Sequence, residues 1–192
     1  MTQGGWLSID ESYRALVVRN RVDEQLLAVE QQHDRVLGFC ARVRETGGLS
    51  SLTQADISKG ATDVDLFLLC LRRLGRVREL AGRSALPGAG GLRLPFRVFD
   101  RATAAVQTMR NAMEHVDGTA VKGSGGFGVS GDRVSISYAG TTVDTLTLFA
   151  AARRLHAAVR TVVDPVAVLD PHGQDPIVPM LAAPTPTPSA PA

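Results

Sequence analysis

Lysine is almost absent from this sequence, because only Lys59 and Lys122 are lysines among its 21 basic residues. Aromatic residues are also scarce, at 5% of the 192 positions, so a hydrophobic core must consist mainly of Leu, Val and Ala. The other fractions, 44% apolar and 21% charged, are ordinary for a globular chain whose length suits a single domain. The preference for arginine fits a functional role and a GC-rich genome equally well.

Cysteines and long apolar runs are also few. Cys40 and Cys70 lie inside apolar helical patterns, without a CxxC spacing or a nearby histidine, so both are expected to be buried thiols in a reducing compartment. The N-terminal stretch contains acidic residues and lacks the apolar centre of a signal peptide. No apolar run approaches the length of about 18 residues that a membrane span requires. We therefore expect a cytoplasmic protein without a membrane partner.

Four segments have apolar residues at helical spacing. The first runs from about Asp10 to Glu45, the second ends near Gly82, and the third is expected to begin near Pro95 and end at Gly118. The fourth starts after Asp144, a suitable N-cap residue. The apolar stripe of the first segment consists of Val22, Leu26, Val29, His33, Val36, Cys40 and Val43; that of the third consists of Phe96, Phe99, Thr103, Val106, Met109, Met113 and Val116.

Between the third and fourth helices the sequence becomes rich in Gly, Ser and Thr. Val134, Ile136 and Tyr138 alternate with serines, which is the pattern of a strand with one buried face. The sequence therefore predicts a mainly α fold, like a four-helix bundle, with a small antiparallel β-hairpin or meander inserted at about 119–143. Residues 1–9 are expected to form an arm, 10–164 the bundle, and 165–192, which hold eight of the ten prolines, a disordered tail.

The stretch "GSGGFGV", residues 123–129, matches the spacing of a dinucleotide-binding loop. Such a loop follows a strand and precedes a helix, whereas here a helix precedes and strands follow. The other signatures of a protein kinase are also missing. The stretch is therefore interpreted as a glycine linker that leads into the hairpin, and no cofactor is expected.

Arginines are concentrated between Cys70 and Arg110. That segment contains nine arginines against only Glu79 and Asp100: Arg72, Arg73, Arg76, Arg78, Arg83, Arg93, Arg97, Arg101 and Arg110. A basic sector of this kind can hold phosphate groups, and a solvated arginine-rich surface is the alternative.

The stretch "MRNAMEHVDG", residues 109–118, places Arg110, Asn111 and His115 near the end of the third helix. In a chain so rich in arginine an Arg-x4-His spacing has no meaning by itself, so its position matters. On a helical wheel His115 lies about 160° from the centre of the apolar stripe, and Asn111 lies one turn before it. Arg110 and His115 are about 140° apart, so a straight helix does not bring both to one small group. Either the helix unwinds before His115 or two copies of the chain complete one site.

This motif at the end of the third helix of a bundle resembles the HEPN superfamily. The resemblance implies a metal-independent endoribonuclease that acts as a dimer, often as a toxin or defence effector. In that scheme His115 is a general acid or base at the ribose 2′-OH or the leaving oxygen, Arg110 clamps the scissile phosphate, and Asn111 orients the histidine or the phosphate. The implied partners are a second copy, RNA, and an antitoxin or neighbouring defence protein. The arginines expected to hold the RNA backbone are Arg72, Arg73, Arg76 and Arg101.

A non-catalytic helical module that dimerises and binds a partner or a nucleotide is the alternative, with Arg110 and Glu114 forming a surface ion pair. The other histidines do not support a metal site, because none has acidic neighbours at ligand spacing. His33 is expected in the core or in a dimer interface, His156 on the surface, and His172 in the tail.

Overall fold

The protein is described by a computed structural model that covers residues 9–114, 126–130, 133–138, 140–164, 168–169 and 176–177, with side chains up to residue 109, in 134–137 and in 140–164. The fold is mainly α-helical with a small antiparallel sheet, which confirms the predicted fold class. The helices are α1 (Ile9–Glu45), α2 (Gln54–Gly75), α3 (Val77–Arg83), α4 (Arg93–Ala102), α5 (Ala104–Glu114) and α6 (Thr145–Val163), with 3₁₀ turns at Leu49–Ser51 and Ala89–Leu92.

The long helix α1 packs against both α2 and α6. Its apolar stripe is buried as predicted, from Val22 through Cys40, and only Val43 remains half-exposed. At Gly60 of α2 the two helices are so close that a Cβ atom would lie 2.4 Å from the ring of Phe39. Because Phe39 is fully buried and cannot move away easily, glycine is required at this contact.

Local signals fix the helix ends. Thr53 and Asp56 form a capping box at the start of α2, and Thr147 donates its backbone N–H to Asp144 at the start of α6 over 2.7 Å. The N-cap role predicted for Asp144 is therefore confirmed. Apolar residues of α6 then face the core, including Leu148 and Leu155, which are almost fully buried.

The sheet is a three-stranded meander. Its strands are β1 (Gly126–Ser130), β2 (Arg133–Tyr138) and β3 (Thr141–Asp144), and both pairings are antiparallel. Val134, Ile136 and Val143 are buried against the helices, as the alternating pattern predicts for the first two. The meander passes directly into α6, so it closes one end of the core.

Two of the predicted helices are each divided into two. The second ends at Gly75 and resumes as α3 after Arg76, and the third is interrupted at Thr103 between α4 and α5. The expected end of the third helix at Gly118 lies outside the described residues. At the second break the Thr103 hydroxyl donates to the Phe99 carbonyl over 2.9 Å and so competes with regular helical bonding.

Only four residues after Asp164 are described. Val168–Leu169 (β4) and Pro176–Ile177 (β5) pair as short antiparallel strands, a pairing that the sequence analysis does not anticipate. The rest of 165–192 lies outside the described residues, and its disorder stays a prediction. Within the helices that the structure describes, none is both long and apolar enough to cross a membrane.

Candidate phosphate-binding groove

The two helix breaks face the same cavity. Gly75 and Arg76 from the first break, and Phe99 and Thr103 from the second, all line a cavity of about 370 Å³. The ring of Phe99 lies so close to Gly75 that an added Cβ atom would be 3.2 Å from it. This contact holds α4 against α2, and we call the cavity beside it the central cavity.

The central cavity is lined by both charged and apolar side chains. Arg72, Arg76 and Arg78 lie around it, together with the carboxylates of Glu79 and Asp100. Arg78 donates to Asp100 over 2.5 Å, and both side chains of this pair are about half exposed. The central cavity therefore contains three arginines and two carboxylates, an excess of one positive charge.

Two further cavities adjoin the central one and add arginines. One, of about 560 Å³, shares Arg76 and Glu79 with the central cavity, and the other, of about 510 Å³, shares Arg78 and Asp100. We call the three cavities together the basic groove. Its arginines are Arg21, Arg72, Arg73, Arg76, Arg78, Arg83, Arg93 and Arg97, and its carboxylates are Glu79 and Asp100.

Most of these arginines are not held by a carboxylate of the described residues. Arg21 pairs with Glu24 at 2.6 Å, and Arg78 pairs with Asp100. Within the described residues no hydrogen bond or ion pair engages the side chains that follow: Arg73, Arg76, Arg83, Arg93 and Arg97. Unpaired guanidinium groups around a concave surface attract anions, and phosphate oxygens match their geometry.

The predicted RNA-binding residues are only partly brought together. Arg72 and Arg76 line the central cavity, and Arg73 lies with Arg76 in the 560 Å³ cavity. Arg101 is exposed on α4 and lines none of the three cavities. Sequence reasoning did not include Arg21, because only the packing of α1 against α2 and α3 brings it to the groove.

The predicted catalytic residues continue from the groove along α5. Thr103 and Gln107 line the central cavity, and positions 110 and 111 follow Gln107 by three and four residues in the same helix. Residues at this spacing lie on one side of an α-helix. The backbone therefore leads from the groove to Arg110 and Asn111, whose side chains lie outside the described ones, as does the whole of His115.

His33 is buried, as its position in the apolar stripe predicts. Its ring stacks on Phe149 of α6 at 4.5 Å between centroids, and Phe67 of α2 lies at 5.6 Å. Nε2 of His33 has no hydrogen-bond partner among the described residues. Burial lowers the pKa of His33 although Asp34 and Asp144 act in the opposite direction, so the histidine is an uncharged part of the core.

His156, which the sequence places on the surface, is half-buried and bonded to a carboxylate. Nε2 of His156 lies 2.7 Å from the Asp23 carboxylate, and Arg160 donates to the same carboxylate over 2.6 Å. Arg160 also donates to Asp164, and Arg19 lies 3.5 Å from Asp164. Burial acts against ionisation of Asp23, but hydrogen bonds from His156 and Arg160 outweigh it and lower the pKa of Asp23. We call these five residues the α1–α6 ion cluster.

The described part of the chain gives little support to a metal site or to a reactive cysteine. No group of three or more His, Cys, Asp or Glu residues there is arranged to hold a metal ion. Cys40 and Cys70 are free and buried, and burial raises the pKa of both thiols. The basic groove is therefore the site with the clearest chemical preference, which is for phosphate.

No family model matches this sequence, and no curated protein or solved structure matches it either.

Proposed function

We propose that the protein is a metal-independent endoribonuclease of the HEPN type that acts as a homodimer. The observation that carries the proposal is the continuity of the basic groove with α5, whose positions 110 and 111 follow the groove residue Gln107. An RNA backbone held by the arginines of the groove is thereby led towards Arg110, Asn111 and His115. The proposed location is the cytoplasm, and the proposed role is that of a toxin or defence effector held in check by a neighbouring protein.

The proposed chemistry needs only the RNA and the side chains of the motif. The ribose 2′-oxygen attacks the adjacent phosphorus, its proton passes to a base, the bond to the 5′-oxygen breaks, and the leaving oxygen takes up a proton. His115 suits one of these two proton transfers, because an imidazole titrates near neutral pH. Arg110 stabilises the charge that develops on the phosphate oxygens, and Asn111 orients the histidine or the phosphate.

Helix geometry supports the proposal of a dimer. Positions 110 and 115 are about 140° apart around a straight helix, so one copy does not bring both side chains to one phosphate easily. Two copies that place their α5 helices side by side supply the arginine from one chain and the histidine from the other. Each symmetric pair then contains two such combinations.

Cleavage of RNA in the presence of EDTA tests this function. Wild type is expected to cut, whereas His115→Ala and Arg110→Ala are expected to lose about 100-fold or more of the rate, in keeping with the removal of a general acid or base or a charge-stabilising group. His172→Ala, in the proline-rich tail, is the matched control and should cut as wild type does. Absence of cleavage by the wild type, or full activity of His115→Ala, contradicts the proposal.

Mixing the two inactive variants tests the composite site. If one chain supplies the arginine and the other the histidine, a mixed dimer of Arg110→Ala and His115→Ala contains one intact combination and regains activity. If each chain uses its own pair, the mixture stays inactive. The second result rejects the dimeric site but leaves the ribonuclease proposal standing.

The second candidate is a non-catalytic module that dimerises and binds a partner or a nucleotide. It is favoured by the outer face of α1, where Ile9, Tyr13, Leu16 and Leu27 follow one another at helical spacing and are 39–66% exposed. A second copy is the occupant that we propose for this face. Tyr13→Glu together with Leu16→Glu should convert a dimer into a monomer by light scattering, and a wild type that is already monomeric contradicts this candidate.

A further inference from the structure

The outermost cavity of the basic groove has more positive charge than a single RNA phosphate requires. It has a volume of about 560 Å³ and is lined by Arg21, Arg73, Arg76 and Arg83, with Glu79 as its one carboxylate. We propose that this cavity, called the arginine cleft below, binds a chain of adjacent phosphates, such as the 5′-triphosphate of an RNA or of a free nucleotide.

Three helices build the arginine cleft. Arg21 belongs to α1 and Arg73 to the last turn of α2, and Arg83 is the last residue of α3. Arg76 stands at the break between α2 and α3. Because these residues come from different elements, their guanidinium groups surround a concave space instead of forming a row along one helix.

Packing against the core anchors the helix that carries Arg83. Val77 is buried and Leu80 half-buried, so the apolar side of α3 is anchored in the core, and Arg83 of the same helix lines the cleft. Within the described residues no ion pair or hydrogen bond engages Arg73, Arg76 or Arg83, and only Arg21 has a carboxylate partner, Glu24. The last turns of α2 and α3 also favour cations, which accounts for arginine at positions 73 and 83 but not for Arg21.

The charge and the size of the cleft together favour adjacent phosphates. Its volume is that of a site for one nucleotide-sized ligand. A nucleotide within an RNA strand brings one negative charge into that space, whereas a triphosphate brings several. With Arg21 paired to Glu24, three further arginines stand against Glu79, and this excess of positive charge matches the triphosphate better, since guanidinium groups bind phosphate oxygens in pairs.

The cleft also lies at an end of the basic groove. Arg76 and Glu79 form its border with the central cavity, which continues to Gln107 of α5. An RNA anchored by its 5′-triphosphate in the cleft would therefore extend through the central cavity towards the motif. This placement of an RNA end rests on the proposed function, whereas binding of a free polyphosphate does not.

Calorimetry with inorganic tripolyphosphate, in buffer with EDTA, tests the cleft without reference to RNA cleavage. We expect binding that Arg73→Gln and Arg83→Gln each weaken by roughly five- to tenfold, because each removes a charged donor at a partly exposed site. Arg35→Gln, an exposed arginine elsewhere on α1, is the control and should bind as wild type does. Failure to bind tripolyphosphate, or an equal loss in the control, overturns the proposal.

Glu79→Gln should change the affinity for tripolyphosphate in the opposite direction from the arginine variants. Removing the one carboxylate of the cleft should tighten tripolyphosphate binding by a few fold, an effect that a damaged fold cannot produce. Unchanged or weaker binding by a folded Glu79→Gln variant contradicts the proposed charge balance.

Two RNA oligonucleotides of one sequence, with a 5′-triphosphate or a 5′-hydroxyl, identify the source of the phosphates. They are compared on the His115→Ala variant so that cleavage does not interfere. Tighter binding of the triphosphate RNA, lost in Arg83→Gln, assigns the cleft to an RNA end. Equal binding of the two RNAs with competition by ATP assigns it to a free nucleotide, and equal binding without competition overturns the proposal.

Discussion

The α1–α6 ion cluster and the arginine cleft both collect arginines, but they use them differently. In the ion cluster Arg19 and Arg160 are matched by Asp23 and Asp164, and His156 adds a further bond to Asp23. In the cleft Arg21 is paired with Glu24, whereas Arg73, Arg76 and Arg83 have no ion pair among the described residues and face only Glu79. Charges that are matched within the protein hold two helices together, whereas charges without internal partners remain for a ligand.

The largest effect should come from removing three charges of the cleft together. Arg73→Gln, Arg76→Gln and Arg83→Gln in one variant should weaken RNA binding roughly 100-fold at low salt and reduce the salt slope of log K by about two. The melting temperature should stay within about 2 °C, because exposed arginines without partners add little to stability. Fluorescence anisotropy across a salt series measures both affinity and slope.

The control for this variant removes three positive charges from the C-terminal part of α1, whereas Arg21 of the cleft lies in the N-terminal half of that helix. Arg35→Gln, Arg42→Gln and Arg44→Gln lower the net charge equally but leave the groove intact. An equal loss of RNA affinity in this control shows that net charge and not the groove holds RNA.

The next effect concerns the ion cluster. Arg160→Gln removes the common partner of Asp23 and Asp164 and should lower the free energy of unfolding by about 1–2 kcal/mol, between the values for exposed and buried pairs. RNA affinity should not change. Urea denaturation measures the loss, and the control is Arg154→Gln, an exposed arginine of the same helix that forms no ion pair with the described residues. Equal stabilities of the two variants contradict the matched role of the cluster.

On acidification, the α1–α6 ion cluster and the buried His33 should lose their contributions to stability at different pH values. The buried His33 has a pKa below its ordinary value of 6.5, so the unfolded chain binds a proton first and stability falls as the pH drops below 6.5. The loss amounts to at most about 1.4 kcal/mol per pH unit. Asp23, whose pKa is below 3.8, keeps its contribution until the pH falls below that value.

The variant His33→Leu distinguishes the two pH ranges in which stability is lost. The variant should remove the decline between pH 6.5 and the lowered pKa of His33 and leave the decline below pH 3.8 unchanged. Denaturation midpoints measured from pH 7 to pH 3 test this, and an unaltered decline near pH 6 in the variant assigns it to another group.

The smallest effect concerns Arg78, an arginine of the basic groove that is paired with a carboxylate. Its pair with Asp100 is 51% and 43% exposed, so Arg78→Gln should cost less than about 0.5 kcal/mol of stability. RNA affinity should fall by a few fold, because the Asp100 carboxylate then faces the groove without its partner. A loss of stability as large as that of Arg160→Gln would erase the distinction between the two regions.

The sequence predicts what depends on local spacing. The stripe of α1, the capping role of Asp144 and the alternation of Val134 and Ile136 each follow from neighbours a few residues apart, and the structure confirms all three. The concentration of arginines after Cys70 is also visible, although the sequence cannot show which of them converge.

Features that depend on tertiary contacts could not be predicted. The breaks at Arg76 and Thr103 accompany the packing of Phe99 on Gly75, a contact between residues far apart in sequence. Likewise Asp23 and His156 are separated by 133 residues, so their pairing has no local signature. Arg21 reaches the groove for the same reason, through the packing of α1 beside α2.

The most direct test of the central claim measures RNA affinity and single-turnover cleavage in the same preparations, with EDTA present. The account predicts that His115→Ala binds RNA as wild type does but does not cut it. It also predicts that the triple cleft variant binds weakly and regains the wild-type cleavage rate at saturating RNA. Cleavage by His115→Ala at the wild-type rate, or no cleavage by the wild type itself, would contradict it.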